Sequence, residues 1–162
     1  MGKYFTTILL LSSLSISLCD GVQMDRDYYD AAYTYVDCCC FSLSKERFEA
    51  ILQDDVQLFH QTNEDTSFIA HGKTTVVELF NTYVFENSSD IEVREVTLQG
   101  CEEGVFLRLL VEETKTANGG LSDRFLFEET TVFQFSDTKP YKIISIQMRV
   151  KKSPIVSGGY SR

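Results

Sequence analysis

The side chains in this sequence with the type and setting to do chemistry are His60, Glu129 and the sulfur run Cys38-Cys39-Cys40. His60 follows Val56 and Leu58 at alternate positions, so a strand there turns all three the same way. An imidazole so placed is a competent general base near neutral pH, or equally a satisfied histidine of a core or pocket wall. Glu129 interrupts the alternating series Phe125, Phe127, Thr131, Phe133, Phe135. Burial among those rings would raise its carboxyl pKa and make a general acid or a ligand anchor; if the strand bulges there, beside Glu128, the group is solvated instead. Arg108 and Arg124 are candidate counter-ions or plain surface residues.

Three consecutive cysteines on a helix point about 100° apart, so they cannot converge on one partner. Cys39 reads as core, while Cys38 or Cys40 is a candidate for a bridge to Cys101 in an oxidising compartment. No thiol is marked as an activated nucleophile. His60 and His71 flank a hairpin, but without a third ligand, a His-Glu-x-x-His motif or paired Cys-x-x-Cys motifs they give no metal site, and no cofactor is expected.

These residues need elements to hold them, and the 162-residue chain has room for one domain. A formal net charge of −9 gives no attraction for nucleic-acid phosphates or anionic lipid. Met1 to Cys19 carries Lys3, then the apolar stretch through Ile8 and Leu11 to Leu18, with Ser17 and Cys19 as small residues before Asp20. That is the pattern of a secretory signal peptide, and cleavage leaves an even number of cysteines. The expected organisation is thus a signal peptide at 1–19, a domain at 20–150 and a loose tail at 151–162, exported and free of the membrane. Asn87-Ser88-Ser89 is a glycosylation sequon at Asn87.

Helical spacing predicts a first helix from Asp27 to Phe41 with Tyr28, Ala32, Tyr35 and Cys39 on one stripe, and a second over Lys45 to Leu52 capped by Ser44. Asp54-Asp55 is expected to end it. Strands at Val56 to Gln61 and Ser67 to His71 make a hairpin, and Gly72 opens a third helix through Val76 and Phe80. Beyond Ile91 the period becomes two. One strand runs to Gln99 with a bulge between Val93 and Val96, a second starts at Val105, Asn118-Gly119-Gly120 signals a hairpin, a third spans Phe125 to Phe135, and Ile144, Ile146, Met148 and Val150 close the sheet. This is an α+β order, helices on one face of a curved antiparallel sheet.

The aromatic first helix, Phe48-Glu49-Ala50-Ile51-Leu52-Gln53-Asp54-Asp55-Val56, Gly72 opening the helix to Phe80, and the strands Phe133-Gln134-Phe135 and Lys142-Ile143-Ile144-Ser145-Ile146 together resemble the nuclear transport factor 2-like superfamily, in its SnoaL-like and ketosteroid-isomerase-like branch. The resemblance spans Asp27 to Val150. It implies a cone-shaped sheet with three helices enclosing a pocket, lined here by Tyr28, Phe80, Phe125, Phe127, Thr131 and Phe133, and pairing of two copies through the sheet. Carried over by position, it puts His60 at the general base, Tyr35 near the oxyanion tyrosine and Thr131 at a second acid; only the tyrosine agrees in kind. Three functions follow as expectations: binding of a small apolar molecule, an isomerase, cyclase or dehydratase with His60 as base and Tyr35 or Glu129 stabilising an enolate, or a dimeric interaction module.

Overall fold

The computed structural model describes residues 25–61, 66–85, 90–116 and 122–155. The leader segment, Asn87 and the Asn118-Gly119-Gly120 hairpin lie outside them. Helix α1 (Arg26–Val36) starts where the Asp25 carboxylate accepts a hydrogen bond from the Asp27 amide, 3.2 Å. It continues into a π-helical turn, Asp37–Phe41, in which the Ser42 amide reaches the Asp37 carbonyl at 2.8 Å. Cys38 and Cys39 of this turn are both buried and Cys40 is half-buried.

Helix α2 (Lys45–Ile51) is capped by Ser44, whose hydroxyl accepts from the Arg47 amide at 3.4 Å. Strand β1 (Leu52–Gln61) then begins four residues earlier than the sequence suggested. Asp54 and Asp55 are exposed strand residues, in the irregular stretch between the Leu52–Ile143 and Gln57–Ser145 pairings. Asp54 ion-pairs with Lys73 at the start of helix α3 (Lys73–Phe80). Gly72 links strand β2 (Thr66–His71) to α3 with φ at 86°, a left-handed conformation that glycine adopts without steric cost. A second π-helical turn, Asn81–Phe85, follows α3.

Strands β3 (Asp90–Cys101), β4 (Gly104–Thr116), β5 (Ser122–Phe135) and β6 (Ile143–Pro154) form the meander. The six strands lie in the order β2-β1-β6-β5-β4-β3, a curved sheet that does not close on itself. Every neighbouring pair is antiparallel except β1 with β6, which run parallel. The expected bulge in β3 is present, as a register shift between Val93 and Glu95. A second irregularity at the start of β6 turns Ile143 rather than Ile144 into the core. β6 also runs four residues past Val150, because Lys151 to Pro154 pair with Glu128 to Phe125; residues 151–154 are strand, not tail.

The core lies between the sheet and the helices. Tyr35, Phe48 and Phe133 are its largest fully buried side chains, with Tyr35 edge-on to Phe133 at 4.8 Å and Phe48 at 4.6 Å from Phe80. Each contributes about 1.5–3 kcal/mol through burial alone. No helix among the described residues is long and apolar enough to cross a membrane.

Candidate functional site

Period-two alternation sends Phe127, Glu129, Thr131, Phe133 and Phe135 of β5 to the helix-bearing face, and α1 decides which of them stay open. The helix covers the lower part of the strand: near its C-terminal end Tyr35 packs on Phe133, and near its N-terminal end Tyr28 packs on Phe135 at 4.9 Å while stacking on Tyr141 at 4.1 Å. Above that cover the two layers separate and leave a concavity of about 380 Å³. Phe127 and Glu129 line it, together with Leu109 and Val111 of β4, Met148 and Val150 of β6, Phe80 of α3, Tyr83 and Val84 of the following turn, and Cys39 and Cys40.

Of the six aromatic and threonine residues expected on the wall, Phe80 and Phe127 are there. The other four do not line it, each for a visible reason. Tyr28 and Phe133 are occupied in the packing just described. Phe125 stands at the far end of the β5–β6 ladder, paired with Pro154, with the Lys152 ammonium 3.8 Å from its ring centroid. Thr131 is buried beneath Glu129.

Glu129 and Tyr35 are brought together. The Tyr35 hydroxyl donates to Glu129 Oε1 at 3.0 Å, and the Thr131 hydroxyl donates to the same oxygen at 2.7 Å. Oε2 takes neither bond. Glu129 keeps partial exposure because it faces the concavity, yet enough protein surrounds the carboxyl that burial raises its pKa, against the lowering effect of the two hydroxyls. Burial, reinforced by the adjacent Glu129, holds the Tyr35 hydroxyl well above its ordinary value. Tyr35 is therefore a neutral donor to the Glu129 carboxyl.

The remaining candidates sit elsewhere. His60 pairs in register with Met148, a wall residue, and with Ser67, but does not itself line the concavity. His71 pairs with Gln57, three residues along β1 from His60, so the two histidines do not face each other. No group of three or more His, Cys, Asp or Glu among the described residues is placed to hold a metal. Arg108 and Arg124 are not partners of Glu129. They lie on the opposite face of the sheet, where Arg108 bridges Glu95 at 2.9 Å and Glu128 at 3.2 Å, and Arg124 bonds Glu112 at 2.6 Å.

Cys38, Cys39, Cys40 and Cys101 are all free thiols. Cys101 ends β3 opposite Gly104, whereas the other three are held between α1, α2 and the sheet, so no bridge joins them. Burial raises the Cys39 thiol well above its ordinary value and pushes Cys40 up to about 12, which leaves both protonated and poor nucleophiles.

Sequence reasoning missed Glu113, a second buried acid on the wall, 3.5 Å from Lys115. The signal was present: Val105, Leu107, Leu109 and Val111 set a period of two whose next member is Glu113. Tyr83 and Val84 were missed for another reason, because their placement depends on the π-helical turn.

No protein-family model and no curated protein matches the chain. Solved structures do. A phenazine biosynthesis-related protein from Pseudomonas aeruginosa superposes with a TM-score of 0.57 at 12% identity, over 78% of this chain and 80% of that one. An LEH-like epoxide hydrolase of M. tuberculosis gives 0.52 at 15% identity, covering 78% and 84%. A nuclear transport factor 2-like protein of unknown function from Mesorhizobium loti gives 0.50 at 13% identity, covering 80% and 96%. The chain has the nuclear transport factor 2-like fold.

Proposed function

We propose that this is a secreted protein of the SnoaL-like branch that binds a small apolar molecule in the concavity between sheet and helices, in the manner of a cone-shaped pocket. The observation that carries the reading is the composition of the wall: it is apolar almost throughout, and its polar atoms are concentrated in a few groups, foremost the Tyr35–Glu129 pair. A pocket of that kind binds through burial and orients through a few polar contacts. Native mass spectrometry of the secreted chain should show a co-purifying ligand or, failing that, uptake of the neutral dye Nile red with a saturable rise in fluorescence. Val111→Trp, which fills the concavity, should abolish that rise. An empty, dye-silent protein in every preparation overturns the proposal.

A second reading is supported by the Tyr35 to Glu129 hydrogen bond: an isomerase, cyclase or lyase that needs no cofactor. In it Glu129 shuttles the proton and the Tyr35 hydroxyl supplies a neutral donor to a developing oxyanion. Glu129 is preferred to His60 as the base because Glu129 lines the concavity. Loss of turnover on Glu129→Gln with His60→Gln unaffected would separate the two assignments. The proposal extends to a homodimer through the face of the sheet that the helices leave uncovered, and a chain that stays monomeric in light scattering at high concentration removes that part alone.

A further inference from the structure

The charges on the wall narrow the ligand class. Among the described residues no Lys, Arg or His lines the concavity, and the carboxylates that line it are Glu113 and Glu129. Lys115 and Lys152 are exposed and not part of the lining, and the Lys152 ammonium is engaged by the Phe125 and Phe127 rings, 3.8 and 5.0 Å from their centroids. Glu113 already faces Lys115. Glu129 does not have a cation of its own: its hydrogen-bond partners are the neutral hydroxyls of Tyr35 and Thr131, both on Oε1. A carboxylate in that position is short of positive charge, and an apolar surround strengthens its attraction for a cation over an anion. An apolar carboxylic acid would bring a second negative charge into the same low-dielectric space.

Resting on the binding reading above, we propose that the ligand is an apolar amine, bound as its ammonium ion with the nitrogen donating to the Oε2 side of Glu129 and the hydrocarbon body against Leu109, Val111 and Met148.

The test compares three probes of one chain length with the full secreted protein: n-octylamine, 1-octanol and octanoate, titrated by calorimetry at about pH 8, where the alkylammonium stays charged. Octylamine is expected to bind at least about tenfold more tightly than octanol, and octanoate more weakly than either. Glu129→Gln, checked for folding by circular dichroism, should bring octylamine to the affinity of octanol, while Glu128→Gln, on the opposite face of the sheet beside Arg108, should leave the preference in place. If all three probes bind alike, or octanoate binds best, the amine assignment is overturned and binding of apolar molecules stands. If none binds to the folded protein, the binding reading itself fails.

Discussion

Tyr35→Phe isolates one hydrogen bond. The Tyr35 ring is 1% exposed and wedged among Phe48, Phe80 and Phe133, with centroids at 6.0, 5.9 and 4.8 Å, so phenylalanine keeps the packing and loses only the 3.0 Å bond to Glu129. A bond to an ionised acceptor is worth about 1.5–3 kcal/mol and one between neutral groups about 0.5–1.5 kcal/mol. The cost of the substitution should therefore depend on whether Glu129 is charged. Burial raises the folded-state pKa of Glu129 above its unfolded value, so the folded protein holds the extra proton between the two. Stability from this group is fully present below the unfolded value and is lost as pH rises through the folded one. Thermal unfolding followed by circular dichroism should show Tyr35→Phe costing about 2 kcal/mol well above that window, and about 1 kcal/mol below it. In melting temperature that is roughly 8 °C against 4 °C for a domain of this size. On a Glu129→Gln background the cost should be the smaller figure at every pH. A cost that is the same at all pH values, and unchanged by Glu129→Gln, refutes the coupling of the hydroxyl to a titrating carboxylate.

Glu129→Gln alone should raise the melting temperature above the window, where it removes a buried charge, and should do little or nothing below it; equilibrium unfolding at two pH values checks the sign. Phe48→Ala should cost about 3–5 kcal/mol in denaturant unfolding, since it empties a fully buried site between Tyr35, Phe80 and Phe85. Gly104→Ala should cost more than about 2 kcal/mol, because φ there is 147° and a Cβ would overlap the Phe133 carbonyl oxygen; a melt within error of the parent would contradict that reading. In thiol titration of the native protein Cys101 should react ahead of the buried Cys38 and Cys39, which should react only on unfolding; prompt modification of those two would mean that the α1 turn opens readily.

Much of the fold was legible because it rests on local periodicity. The Ser44 cap, the Gly72 opening of α3, the β3 bulge between Val93 and Val96 and the inward face of β5 each follow from residue type and spacing within about ten positions. The errors fall where a distant partner overrides the local signal. Asp54 and Asp55 look like a helix stop, yet they lie within β1, whose edge pairs with β2 and whose other side runs parallel to β6. Residues 151–154 look like a tail until β5 pairs with them. Ile143 and Ile144 exchange places because an irregularity in β6 shifts the phase by one.

The candidate site divides along the same line. That Glu129 points toward the helices, amid apolar rings, was set by alternation along one strand. That its hydrogen-bond partners are Tyr35 and Thr131 and not an arginine, and that Phe133 and Tyr28 are core while Phe127 is wall, were decided only when α1 docked across β5. A strand of period two fixes which face a side chain takes at no cost in long-range information. How deep the cover on that face extends depends on the packing of a helix ninety residues away in the chain, and no spacing within the strand encodes it.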